Sequence, residues 1–504
     1  MFSHLDLPAA PAIWSNWQTT GAIALSTVVL AYWICNFVYN SYFHPLAKFP
    51  GPFVARGSLL WRVVHTSRGR VHMSITELHK KYGRIVRISP NELSFDSVEA
   101  MKAVHGHRPA TSPQALRSEF YPVTNSGFSR RCIGSEQDPE RHKEMRKMLS
   151  PAFSQRALLE QESIISGIVD KFVRAIGEKA PPGSKGINMV KWFEMTAFDI
   201  LGDMAFGESF HSVEAGKPHY WGDNILDHIY LITVIDNLRR FWVLAKLGRL
   251  LIPSRFLLQS VNSRYARAQV EKCLESKSTR KDFVTLLAQK VRDGQVDKEE
   301  MAAHVSTFAV AGGETVATFM ASTTCFLLRH PEKLKRVVSE IRGAFKSYDE
   351  INATQAQRLP YLQAVISEGL RLAPPGSHGL ARMSPGFEVH DTYIPPGVEL
   401  YTSLWTVTHR EEYFSDPFKF LPERWLDPNS KDLKEASQPF LFGPWDCLGR
   451  NFAIMELNLV MTKMLWTYDM ELVNTELDWF RDAKLHGMWW KPKLMVRFHG
   501  RSDL

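Results

Sequence analysis

The chain has 504 residues, 44% hydrophobic and 23% charged, a balance that excludes wholesale disorder and permits a large buried core. Its five cysteines, at 35, 132, 273, 325 and 447, show no paired spacing and are odd in number, which argues against a disulfide framework and for a reducing compartment. A formal net charge of +8 suits nucleic acid, an anionic membrane or an acidic protein partner; with no basic-aromatic module visible, no nucleic-acid partner is expected.

Gly21 to Tyr39 is a 19-residue segment without a charge. At 1.5 Å per residue it spans roughly 28 Å, about one bilayer core. Residues 1–20 hold no Lys or Arg, whereas Lys48 and Arg56 lie beyond the segment. The positive-inside rule therefore sets the N-terminus outside and the rest of the chain in the cytosol. A cleaved signal peptide fits less well, because the basic n-region is missing; a buried helix is the third reading. We expect a single-pass membrane anchor over residues 1–40. Residues 41–52, Ser-Tyr-Phe-His-Pro-Leu-Ala-Lys-Phe-Pro-Gly-Pro, are proline-dense and should form a stiff, non-helical hinge. No linker-like break in composition occurs after the hinge, so residues 53–504 read as one large domain.

Ile85 to Ile88 and Glu92 to Phe95 flank Ser89-Pro90-Asn91 and predict a hairpin. Arg108 to Gly134 shows no clear period. Asp138 to Ser150 reads as a basic helix in which His142 and Arg146, four apart, share a face. Asn188 to Phe210 is helical and aromatic-rich, and Tyr220 to Pro253 is lipophilic, with Tyr230, Phe241, Trp242, Leu250 and Ile252. A long helix should begin near Asp297, where Glu300 three residues on resembles a capping box, and run to His330 before Pro331. It contains Ala311-Gly312-Gly313-Glu314-Thr315, and two glycines inside a helix cost about 1 kcal/mol each relative to alanine. Leu359-Pro360-Tyr361 starts a further helix carrying Glu368 and Arg371 at i, i+3, and Pro422-Glu423-Arg424-Trp425 places another arginine in a loop.

The stretch Phe440 to Gly449, Phe-Leu-Phe-Gly-Pro-Trp-Asp-Cys-Leu-Gly, sets Cys447 in a glycine-punctuated turn ahead of a helical run. The helix start should bias the thiol toward thiolate, and the glycines allow something flat to approach the sulfur. A lone cysteine as a small buried hydrophobe is the plain alternative. Phe440, Gly443, Cys447 and Gly449 resemble the haem-binding signature of the cytochrome P450 family, whose cysteine thiolate is the axial ligand of haem iron. The other motifs stand in that family's order along nearly the whole chain. One position departs: the family usually has Arg where this chain has Trp445.

The resemblance implies a mainly α fold with small β-sheets behind an N-terminal transmembrane helix, and an endoplasmic-reticulum-anchored haem-thiolate monooxygenase with a cytosolic catalytic domain. It implies haem b held by Cys447 as metal ligand, with His142, Arg146, Arg382 and Trp445 at the propionates. Thr315 with Glu314 would manage protons beside dioxygen, where the Gly-Gly pair would loosen the helix. Glu368, Arg371 and Arg424 would form a structural triad, while Pro374 to Leu380 and Leu485 to Trp490 would line the pocket. Electrons would come from NADPH through NADPH-cytochrome P450 reductase, docking on a basic face with Lys143, Lys147 and Arg450. The substrate would be a lipophilic small molecule, a polyketide, terpenoid or alkaloid intermediate of secondary metabolism rather than a sterol or fatty acid. A haem-binding sensor or scaffold, or oxygen-independent rearrangement, are the alternatives.

Overall fold

The computed structural model describes residues 13–501 except 110–111, 126, 242–245, 247–260 and 276–282. Trp242, Leu250 and Ile252 of the lipophilic stretch lie outside the described residues. Helix α1, Ile13–Val38, continues through a single π turn at Tyr39–Phe43. Within it, Thr19–Phe43 is long and apolar enough to cross a membrane, and none of its most apolar window is buried in the protein.

The expected non-helical hinge therefore starts three residues late, since Ser41, Tyr42 and Phe43 are still helical. No proline lies between Ile13 and Pro45 to break the helix, and arginines answer the carbonyls that a helix end leaves open. Arg87 donates to the Asn40 carbonyl at 2.8 Å, and Arg56 donates to those of Ser41 at 3.2 Å and Ala47 at 2.8 Å. The Phe37 and Phe53 rings meet edge to face at 5.0 Å. The helix is thus fastened to the chain that follows it, at Ala47, Phe53, Arg56 and Arg87.

Strands β1, Ile85–Ser89, and β2, Glu92–Phe95, form the expected antiparallel hairpin. They belong to a five-stranded sheet with β3, Leu116–Arg117, β4, Arg382–Met383, and β5, Glu399–Thr402, in the order β1-β2-β5-β4-β3. The β3 strand falls inside 108–134, where no period is visible, because two residues are too few to show one. Its register sets Arg117 directly opposite Arg382.

The helical layer is built around a few long elements: α2, Pro139–Leu149; α3, Met189–Phe206; α4, Ile225–Arg239; α5, Lys298–Arg329; α6, Pro360–Leu372; and α7, Arg450–Thr467. Helix α5 is apolar on nearly every side and correspondingly buried along most of its length. Asp138 and Asp297 cap α2 and α5 by accepting from the Glu140 and Glu299 amides. The capping box expected at Asp297 and Glu300 does not form: Glu300 instead pairs with Arg141 at 2.7 Å and faces His304 at 3.6 Å. One apolar core runs from Val71 to Phe498 and joins α3, α5, α6 and α7.

The fully buried Glu368 carboxylate holds α6 to the chain that leads toward the cysteine. Arg371 donates to both its oxygens at 2.8 Å. The Leu421 amide donates at 3.0 Å, Arg424 at 3.2 Å and the Trp425 indole at 2.9 Å. Arg371 also donates to the carbonyls of Thr408, Pro417 and Lys419. Removing one partner of a buried, fully bonded ion pair leaves a stranded charge. Arg371→Met should accordingly lower the unfolding free energy by about 3–5 kcal/mol in chemical denaturation of the purified full-length protein. A midpoint equal to that of the parent would show that the pair carries no such load.

Candidate active site

Cys447 stands two residues before the Gly449 cap of α7, its amide bonded to the Phe440 carbonyl at 2.9 Å. Gly443 makes the approach of this loop possible: at φ +84° it lies so close to the His105 carbonyl that a β-carbon would sit 2.0 Å from the oxygen. The cysteine is accessible, although the surrounding protein desolvates its thiol. Burial pushes its thiol pKa up; Asp446 adds to this, while the Gly449 amide, Arg450 and Arg146 pull it down. The expectation that the helix start alone favours thiolate is thereby corrected, because desolvation of the anion outweighs the nearby donors. A cation on the sulfur reverses that balance.

Around Trp445 lies a set of buried donors. Arg382 is fully buried; it donates one Nη to Tyr121 and the Ala381 carbonyl, while its Nε and other Nη have no partner. Arg117 donates to the carbonyls of Ile133 at 2.6 Å and Glu136 at 3.0 Å, and its Nε has no partner. The Trp445 indole N–H is likewise buried and unmet. The Arg117 guanidinium sits 4.4 Å above the Trp445 ring, and Arg382 lies 5.9 Å from it. Among the described residues no carboxylate pairs with either arginine. Burial, then the closeness of Arg382, pulls the Arg117 pKa down to about 10, although Tyr121 opposes this. Like charges opposite each other on adjacent strands repel, and buried donors left unmet are costly. The arrangement fits a ligand that brings carboxylates to this spot.

The other expected members of this set stand apart from it or differ in charge. His142 packs its ring against Trp445 at 4.1 Å; burial and then Arg117, Arg146 and Arg382 lower its pKa to about 3, so it is neutral in the protein alone. Arg146 turns to Asp446, pairing with its carboxylate at 2.5 Å and its carbonyl at 2.8 Å, and so braces the cysteine loop. Arg117 is the residue that sequence reasoning passes over, for no motif surrounds it. Its only signal is a lone Arg in an apolar-flanked stretch.

On α5, Ala311 and Thr315 are accessible in an otherwise buried stretch. The helix is unbroken there, and the Thr315 hydroxyl donates to the Ala311 carbonyl at 2.5 Å. The loosening implied by resemblance is absent. Gly312 and Gly313 serve instead to admit α3: a β-carbon at Gly313 would lie 2.6 Å from the Phe198 ring, and one at Gly312 3.0 Å from Leu201. Glu314 is buried and bonded to Lys491 at 2.5 Å. That lysine, fully buried, also pairs with Glu194 of α3 at 3.0 Å. Burial first, and Glu194 next to it, raise the Glu314 pKa against the pull of Lys491. The carboxyl can therefore hold a proton.

The sequence model of the family described as Cytochrome P450 matches residues 48–497. The chain belongs to the cytochrome P450 family. It is 59% identical over 478 residues to a cytochrome P450 monooxygenase of Botryotinia fuckeliana, covering 95% of this chain and 91% of that one. A cytochrome P450 monooxygenase of Penicillium roqueforti is 53% identical over 475 residues, covering 94% and 93%. The trichothecene C-15 hydroxylase of Fusarium sporotrichioides is 32% identical over 478 residues, covering 93% and 96%. This P450 is a monooxygenase whose family cofactor is haem. The residues present fit that group, since the accessible Cys447 offers a soft donor and the unmet donors of Arg117, Arg382 and Trp445 suit two propionates.

The packing of α3 on α5 gives a direct check. Gly313→Ala should destabilise the P450 by about 1–3 kcal/mol, as overpacking does. Adding Phe198→Leu should recover most of that loss in thermal unfolding, because neighbouring substitutions are not additive. Equal losses in the presence and absence of Phe198 would mean that the glycine is held for another reason.

Proposed function

We propose that this P450 hydroxylates a lipophilic intermediate of fungal secondary metabolism, a polyketide, terpenoid or alkaloid, using electrons from NADPH delivered by NADPH-cytochrome P450 reductase. It does so from the cytosolic face of the endoplasmic reticulum, held there by α1, with residues 53–504 as the catalytic domain behind the 41–52 connection. The observation that carries this reading is the pairing of an accessible Cys447 with buried arginines that no carboxylate among the described residues answers. The substrate class is supported by the relative named as a trichothecene hydroxylase and by the likeness to fungal P450 monooxygenases.

Haem, when bound, would supply the activation of dioxygen, one atom of which enters the product while the other, with two electrons and two protons, leaves as water. The chain's own residues do the rest. Cys447 gives the iron its one protein ligand. Arg117 and Arg382 take the two propionates, with the Trp445 indole donating a further bond, so that strand β3 supplies the charge that position 445 lacks. Thr315 orients a proton toward the oxygen, releasing its bond to Ala311 as it does so. Glu314 holds the next proton, and Lys491 with Glu194 carries the path toward Lys191, which pairs with Glu194 at 3.1 Å and is exposed. Lys143, Lys147 and Arg450 are exposed and present the basic face to the reductase.

The reading is tested by reconstituting the full-length protein with reductase and NADPH in vesicles, together with extracts of a producing fungus. A product that gains one oxygen atom is expected. Cys447→Ala should yield none and lose the thiolate-type carbon monoxide spectrum; that spectrum surviving in the variant would refute the ligand.

The role of Arg117 has a readout independent of turnover. A unit charge about 10 Å from iron, at an effective dielectric of about 20, is worth roughly 1.7 kcal/mol, or about 70 mV for one electron. Removing a positive charge disfavours the ferrous state. Arg117→Met should then lower the haem reduction potential by several tens of millivolts, of that order or less after screening, while Arg117→Lys largely restores it. An unchanged potential in a fully loaded Arg117→Met protein would move Arg117 away from the propionates.

A further inference from the structure

Between α1 and the five-stranded sheet lies a cavity of about 850 Å3. Its outer wall is the membrane helix itself, through Val28, Val29, Tyr32 and Trp33, with Asn36 and Asn40 lower on the same face. On the protein side stand Phe241, whose ring lies 5.9 Å from that of Trp33, and Met383. Val28 to Trp33 fall inside the apolar span Thr19–Phe43, so the cavity is entered at the depth of the acyl chains. The arginine bonds to Asn40, Ser41 and Ala47 hold the helix in place as a wall.

The floor is polar and its arginines are ion-paired, while Glu119 adds a further carboxylate, bonded to Gln137 and paired with no arginine among the described residues. Arg240 bonds Glu92 and pairs with Glu399 at 2.5 Å and Asp236 at 3.1 Å. Arg62 bonds Glu92 and Asp236, both at 3.0 Å, and Arg239 bonds Asp236 at 2.6 Å. Three guanidinium groups thus answer three carboxylates. An anionic headgroup would have to break one of these buried pairs beside the further carboxylate of Glu119, at a cost no surface contact repays. A neutral molecule meets no such barrier, and the side-chain amides of Asn36, Asn40 and Asn91 offer it hydrogen bonds. The volume suits a drug-sized molecule.

We propose that this cavity collects a neutral, oxygen-bearing lipophile from the bilayer, making the anchor helix part of a substrate-holding site rather than a tether alone. The proposal rests on the lipophilic-substrate reading given above. The lipophile lies with its apolar body against Val29, Tyr32 and Trp33 and its oxygen toward the asparagines and the ion-paired floor. Arg240 also ties the end of α4 to strands β2 and β5, so the test leaves it unaltered.

The full-length holoenzyme in phosphatidylcholine nanodiscs is photolysed with a diazirine analogue of farnesol, a neutral lipophilic alcohol, and separately with diazirine-bearing phosphatidylcholine. The labelled peptides are then mapped by mass spectrometry. The farnesol probe is expected to label the peptides that hold residues 28–40 and Phe241. Val29→Trp, at an exposed position where the indole fills the cavity, should cut that labelling about ten-fold and leave the carbon monoxide spectrum intact. Ser58→Trp fills the same space from the domain side and should act alike. Labelling that neither substitution lowers overturns the site, as does phosphatidylcholine labelling there that excess farnesol fails to displace. No NADPH is present, so this result is independent of whether the protein turns over.

Discussion

Five donors converge on the carboxylate of Glu368, and much of the molecule hangs on that convergence. Helix α6 brings Glu368 and Arg371; the later loop brings Leu421, Arg424 and Trp425. Because both groups of the central pair are fully buried, neither side can let go without stranding a charge in the interior. The chain is thereby pinned on both sides of the functional residues. Upstream of the loop, α6 leads into β4 and Arg382. Downstream, it leads to the turn in which Gly443 threads past His105 and presents Cys447. A surface ion pair of the same composition would be worth little; burial and full bonding are what make this one an anchor point.

The site itself shows a different use of burial. Strand register sets Arg117 against Arg382, and among the described residues no carboxylate pairs with either charge. Such a pair is a poor choice for stability and a good one for holding a dianion. Trp445 suits the arrangement, since an aromatic face lies under Arg117 where an arginine would add a third like charge. The neutral His142 ring packs on the same indole. On the proposed reading, Arg117 of β3 would supply the charge of the arginine that the family usually has two residues before the cysteine.

The elements with strong periodicity or cap signals were legible in the sequence. The hairpin at Ile85–Phe95, the helix start at Asp138, the Asp297 cap, the α6 start at Pro360 and the apolar span all sit where residue chemistry places them. The cysteine loop and the Glu-x-x-Arg pair were legible because each is a dense local motif. What was not legible depends on partners far apart in the chain. Arg117 lies in a two-residue strand whose meaning comes from Arg382, more than 250 residues away. The glycines of α5 read as a functional loosening, yet Phe198 and Leu201 of α3 show them to be a packing requirement. Glu314 read as managing protons with Thr315, while its partner Lys491, itself paired with Glu194, lies far along the chain. Arg146 read as facing the cofactor, and Asp446, its nearer partner, was overlooked.

An experimental structure of the haem-loaded protein tests the central claim most directly. It should show Cys447 Sγ on the iron and both propionates between Arg117 and Arg382, with the Trp445 indole N–H donating to one of them. Propionates directed elsewhere, with Arg117 and Arg382 still facing each other and no anion between them, would contradict it.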